Sequence, residues 1–272
     1  MVFLPGYMSD MAGSKAVALD AWAAARGRAY LRFDYSGCGA SEGDFADGTI
    51  SRWTADALAV IDEVAAGQGP SGTDRRVVLV GSSMGAWIAL RVALARPRHV
   101  AAVVTIAGAP DFTDWALGLT NAGRAALNRD GFVERPSRYG APYRYHAGLL
   151  ADGAACRLLP GPIAIDGPVR LLHGQADADV PWRLSVDVAT ALRSADVQVT
   201  LVKDGDHRLS RERDLALLTG ILDALPVAGS DQSLPVAGSD QPLPVAGSDQ
   251  PLPVAGSDQP LPVAGSEQAL ES

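Results

Sequence analysis

Short apolar runs and longer amphipathic stretches alternate along most of this chain. VFL at 2–4, AYLRF at 29–33, RVVLV at 76–80, VAAVVTIAG at 100–108, PVRLLH at 168–173 and VQVTLV at 197–202 are dense in β-branched and apolar residues. Near-continuous runs of this kind suit strands covered on both faces, whereas a half-exposed strand alternates apolar and polar. Between them lie helical patterns. The segment 51–66 sets Trp53, Ala57, Val60, Ile61 and Val64 on one face and stops at Gly67. Further helices are expected over roughly 14–26, 84–95, 183–194 and 211–225. The order predicts an α/β fold: a mostly parallel sheet flanked by helices.

Two stretches break the rhythm. Residues 114–165 are rich in Arg, Tyr, Gly and Pro, hold no convincing strand and lie between two strands, so they predict a small, mostly helical cap. From Leu225 a nine-residue unit, LPVAGSDQP with small variations, is repeated five times. Such a unit buries too little apolar surface to offset its chain entropy, and disorder or loose polyproline structure is expected. The organisation is then one α/β domain over 1–225 with a cap at about 114–165, and a low-complexity tail over 226–272. The first strand begins at residue 2 with no leading strands before it, which points to a natural start other than Met1.

Charge changes the picture only through the tail. The chain carries a formal net charge of −8, and without the tail's six acids the value is −2. With no basic stripe, a nucleic-acid partner is not expected. No apolar run spans a bilayer, and MVFLPGYMSD lacks the basic start of a secretion signal. The two cysteines, Cys38 and Cys156, have no framework spacing. These features suggest a cytoplasmic enzyme.

The candidate chemistry centres on Gly81-Ser82-Ser83-Met84-Gly85, which matches G-x-S-x-G with a buried strand running in and a helix leaving directly. That context makes Ser83 the expected nucleophile, held on a strained elbow. A serine hydroxyl needs a base, and the base an orienting acid. Chemistry in parallel sheets collects beyond the carboxyl ends of the strands, a rule that sorts the histidines. His99 precedes its strand and reads as structural. His146 lies in the cap, and His173, followed by Gly174, suggests a tight turn. His207 follows the last strand and is the expected base. Asp177, in HGQADADVPW, is the expected acid, with Asp179 as the fallback; a metal site gains no support from ligand spacing. The N–H groups of Met84 and Tyr7 are expected to form an oxyanion hole. Tyr139, Tyr143, Tyr145 and His146 are the cap residues expected to meet substrate. Cys38 lacks a nearby predicted base, and the Asp34 loop is expected to brace the site.

FLPGYMSDMAGSKA, RFDYSGCGASEG, ISRW, GSSMGAW, PSRYGAPY and RLLHGQADADVPW together resemble the α/β-hydrolase superfamily over nearly all of 1–225. Within it they are similar to the group of palmitoyl-protein thioesterases and mycophenolic acid acyl-glucuronide esterases and its bacterial relatives. That resemblance implies Ser83, Asp177 and His207 as triad and the hydrolysis of small-molecule acyl esters or thioesters through an acyl-enzyme, with no cofactor. A small serine peptidase and a catalytically silent ligand binder of the same fold are the alternatives.

Overall fold

The computed structural model describes residues 1–67, 75–137 and 140–226. Tyr139 and the repeat tail from residue 227 lie outside the described residues. Six strands form one sheet: β1 (Val2–Leu4), β2 (Leu31–Arg32), β3 (Val77–Ser82), β4 (Val100–Ile106), β7 (Val169–Gly174) and β8 (Val197–Val202). Their order is β2-β1-β3-β4-β7-β8, and every pair is parallel. Parallel neighbours require crossovers, and helices α1 (Ser14–Ala24), α2 (Ile50–Ala66), α3 (Met84–Ala95) and α7 (Arg183–Ala191) lie in them, while α8 (Glu212–Asp223) follows the last strand.

Adjacent residues of a strand point to opposite faces, and the core divides accordingly. Leu79, Val103 and Leu171 join Trp53, Ile61, Trp87 and Val188 on one side. Val80, Val104 and Leu172 join Leu19, Trp22, Leu218 and Leu222 on the other. Both faces are covered, which is why these strands read as unbroken apolar runs. The strand expected over 29–33 shrinks to Leu31–Arg32 because its sole neighbour in the sheet, β1, is itself three residues long.

The cap differs from expectation. Beside α4 (Phe112–Trp115), α5 (Asn121–Asp130) and α6 (Ala147–Ala155), it contains an antiparallel hairpin, β5 (Phe132–Arg135) with β6 (Tyr143–His146). Cross-strand pairs favour it: Val133 faces Tyr145, and Glu134 faces Arg144 with a 2.8 Å ion pair. Its two ends are tied by Asp111, a buried residue whose carboxylate accepts from the N–H groups of Leu158 (2.9 Å) and Leu159 (2.8 Å). The cap therefore leaves and rejoins the sheet at one point. β1 has β2 on one side and β3 on the other, so the connections diverge there and open a crevice at the carboxyl ends.

Candidate active site

Between β3 and α3 stands a single residue, Ser83, with φ 55° and ψ −119°. A non-glycine residue in that region costs about 1–3 kcal/mol and persists only where its surroundings over-determine it. Here they do. Ser83 N–H donates to the Ile106 carbonyl (2.9 Å), and the Ser83 carbonyl accepts from Ala86 (3.0 Å) and Ala109 (3.1 Å). The flanking glycines are steric necessities. A Cβ on Gly81 would lie 2.3 Å from the Gly85 carbonyl oxygen, and one on Gly85 would lie 2.0 Å from that of Leu4. Strand, elbow, helix and the end of β1 meet here backbone to backbone.

The turns after β7 and β8 bring the other groups in. His207 Nε2 lies 3.1 Å from Ser83 Oγ, and His207 Nδ1 lies 2.8 Å from Asp177 Oδ2. Asp177 Oδ1 accepts from the N–H groups of Asp179 (2.9 Å) and Val180 (2.8 Å). Burial alone would raise the Asp177 carboxyl. The hydrogen bonds from His173 and His207, the charge on His207 and the Val180 N–H outweigh it and hold the carboxyl well below the usual carboxylate range. Asp179 is exposed and donates its main-chain N–H to Asp177. Ser83, His207 and Asp177 thus form one hydrogen-bonded line across three strand ends. Asp177, Asp179 and His207 also set three potential ligand atoms within 4.8 Å of one another; Asp177 and His207 already engage each other through Oδ2 and Nδ1.

A cleft of about 450 Å³ opens onto Ser83 and His207. Its lining includes the aromatic residues Tyr7, Phe112, Trp115, Tyr143 and Tyr145 and the polar residues Asp10, Ser14, Lys15, Arg208 and Ser210. Met84 opens α3, so its N–H has no intrahelical acceptor. Gly6, which precedes Tyr7 in the chain, presses on the elbow, its Cβ position 3.3 Å from Ser83 Cβ. The Tyr7 ring stacks on Tyr145 (5.1 Å, 10°) and its hydroxyl donates to the Arg144 carbonyl. Tyr143 and Tyr145 line this cleft and His146 does not; the His146 ring lies 6.4 Å from that of Phe45 and 5.7 Å from that of Phe132. Cys38 is buried, and burial, then the carboxylates of Asp34 and Asp56, pushes its thiol up to about 12, which leaves it a poor nucleophile. The Asp34 carboxylate accepts from Met11 (2.7 Å) and Ala40 (3.0 Å), joining the loop after β1 to the loop after β2.

Sequence reasoning missed the groups that hold this line in place. Lys15 Nζ donates to the Arg208 carbonyl (2.6 Å) and Ser14 Oγ pairs with Ser210 Oγ (3.2 Å), so the start of α1 grips the loop carrying His207. His173, wholly buried, lies 3.2 Å from Asp177 Oδ2 through Nε2 and 2.7 Å from Ser185 Oγ through Nδ1. Only a polar residue ending a buried strand hinted at it.

Among the described residues no helix is long and apolar enough to cross a membrane. The model of the alpha/beta hydrolase family matches residues 1–219. The chain is 40% identical over 228 residues to the mitochondrial palmitoyl-protein thioesterase ABHD10 of Mus musculus, covering 83% of this chain and 74% of that one. The protein of the same name from Homo sapiens is 37% identical over 232 residues, with 83% and 72% covered. A crystal structure of a putative hydrolase from Agrobacterium vitis aligns with a TM-score of 0.76 at 43% identity, covering 82% of this chain and 86% of that one. The structure of alpha/beta hydrolase domain-containing protein 10 from mouse aligns at 0.73 and 38% identity, with 82% and 87% covered.

Proposed function

This chain belongs to the alpha/beta hydrolase family, and from that premise we propose that it is a serine hydrolase of carboxylic esters or acyl thioesters. The observation that carries the reading is the unbroken line from Ser83 Oγ through His207 to Asp177. His207 Nε2 takes the hydroxyl proton as Ser83 attacks the acyl carbonyl. Asp177 holds the imidazole with Nδ1 protonated and steadies the imidazolium that forms. The carbonyl oxygen becomes an oxyanion facing the N–H groups of Met84 and Tyr7. His207 then returns the proton to the leaving alcohol or thiol, which departs and leaves an acyl-serine. Water, deprotonated by the same imidazole, releases the acid. All of these steps use side chains and main-chain groups of this chain.

Tyr143 and Tyr145 form the apolar wall on which the acyl group rests. The thioester option draws on relatives named palmitoyl-protein thioesterase. We also place the protein in the cytoplasm, a reading supported by two unpaired cysteines; cell fractionation tests it. The test of the activity is labelling by a fluorophosphonate, together with turnover of graded p-nitrophenyl esters and acyl thioesters. Both should vanish in Ser83→Ala. An unlabelled wild-type protein that turns over none of them overturns the reading.

A further inference from the structure

His173 occupies a position that a packing residue has no need of. It stands one residue before the end of β7 with its side chain fully buried. Its Nε2 is 3.2 Å from Asp177 Oδ2 and 3.2 Å from the Val180 carbonyl, two groups that only accept. In the neutral imidazole the proton therefore sits on Nε2, and Nδ1 accepts from the Ser185 hydroxyl at 2.7 Å. Ser185 is itself buried on α7. Asp177 Oδ2 then receives two imidazole N–H groups, from His207 and His173, while Oδ1 receives two main-chain N–H groups. Four donors engage the four lone-pair directions of one carboxylate.

We infer that His173, set by Ser185, is a positioning residue that fixes Asp177 and shares its charge, so that His207 is held in register without being overstabilised as imidazolium. The inference rests on the hydrolase reading above. Its physical content is a competition for one oxygen. With the His173 donor in place, part of the charge on Oδ2 is spent on a group that takes no part in proton transfer. Without it, the carboxylate rotates more freely and concentrates its charge on His207 Nδ1–H. Hydrogen bonds in such a chain polarise one another, so Ser185 acts in the same direction as His173 and more weakly.

The other charged groups around this line are Asp179, whose carboxylate joins the cluster of Asp177 and His207, Asp206 and Arg208 on either side of His207, and Lys15 bonded to the Arg208 carbonyl. A change at His173 leaves all four in the chain.

The experiment uses the full chain with His173→Phe, His173→Gln and Ser185→Ala. It reads the rate of fluorophosphonate labelling, kcat and KM for a p-nitrophenyl ester against pH, and the downfield proton resonance of the His207–Asp177 hydrogen bond. In His173→Phe, kcat should fall about tenfold or more, the size of a lost hydrogen bond to a charged group, with KM little changed. The acidic limb of kcat/KM should move to higher pH and the downfield resonance should shift. His173→Gln, whose amide N–H reaches the same oxygen, should recover most of this. A folded His173→Phe with an unmoved limb and resonance overturns the inference, as does a loss that His173→Gln fails to rescue while the limb stays put. Should His173→Phe not fold, Ser185→Ala decides: a smaller displacement in the same direction supports the inference and none overturns it. If the wild type takes no label, the hydrolase reading fails, while the resonance still reports on His173.

Discussion

Gly174 and Gly205 meet main chain against main chain. A Cβ on Gly174 would lie 2.1 Å from the Gly205 carbonyl oxygen, and the Ala176 N–H donates to that same oxygen at 2.9 Å. This contact draws the turn after β7 onto the turn after β8, which is how Asp177 and His207 come within 2.8 Å across 30 residues of sequence.

Gly174→Ala should therefore damage both stability and activity. The clash is with backbone, so one turn has to move, at a cost of about 1–3 kcal/mol. A displacement near 1 Å of a reacting group costs on the order of 100-fold in rate. Urea unfolding and kcat for an ester substrate measure the two effects. A variant with wild-type kcat would show that the contact has no part in setting the base.

Asp177→Asn keeps the shape of the side chain and removes an acceptor needed by two imidazoles. A carboxamide nitrogen facing His207 Nδ1 favours the tautomer with the proton on Nε2, which cannot accept from Ser83. On the proposed mechanism kcat should fall about 10⁴-fold, with the binding of a product analogue nearly unchanged. Asp179→Asn, at an exposed residue whose main-chain N–H to Asp177 the substitution keeps, should cost far less.

The six sheet strands and the Ser83–His207–Asp177 line were legible in the sequence because each rests on a local pattern. VVLV running into GSSMG specifies strand, elbow and helix in nine residues, and chain order then restricts the partners. What was hidden is non-local or masked by composition. The β5–β6 hairpin carries the aromatic alternation of YRYH, but Pro136, Gly140 and Pro142 beside it read as loop. His146 was grouped with its tyrosine neighbours, yet it sits at the far end of β6 from Tyr143 and turns to Phe45 and Phe132. Lys15 and Ser185 gave no local sign at all, since each acts on a residue of another element, Lys15 on the Arg208 carbonyl and Ser185 on His173 in β7.

Tyr7 joins two roles in one residue. Its N–H is the proposed oxyanion donor and its hydroxyl holds the cap hairpin at Arg144. Tyr7→Phe keeps the main-chain group and the ring, so kcat for a short ester should stay within a few-fold. The cap loses one hydrogen bond of about 1 kcal/mol, and KM for a long acyl chain resting on Tyr143 and Tyr145 should rise. Steady-state kinetics across chain lengths separates the two, and a uniform loss of kcat would contradict this division.

Lys15→Met preserves the length of the side chain and removes the donor to the Arg208 carbonyl. The loop carrying His207 would then lose one of its ties to α1 and keep Ser14–Ser210, beside the Leu209 N–H to Asp206 bond and the Ala176 N–H to Gly205 bond. We expect kcat to fall about tenfold. Ser14→Ala should produce a smaller fall, and the two together should exceed either. Burial, then the charge of Arg208, lowers the Lys15 amine to about 8, but both its forms can donate, so the loop contact should survive alkaline pH.

Acid stability follows from the Asp177 carboxyl. Its folded-state value is held below the 3.8 of an unperturbed chain, so folding binds fewer protons there than unfolding does. The sign is then fixed: the contribution is fully present above about pH 4 and is lost as pH falls below 3.8 toward the folded value. Asp62, Asp130, Asp166, Asp204 and Asp214 are lowered in the same direction by arginine partners, so the wild type alone does not isolate Asp177. The difference between wild type and Asp177→Asn isolates the one carboxylate. Urea midpoints measured from pH 7 to pH 3 should converge for the two proteins as pH drops, by on the order of 1–3 kcal/mol. Parallel curves would mean that the native state places no premium on the Asp177 charge, and the hydrogen bonds from His173 and His207 would then have to be reassigned.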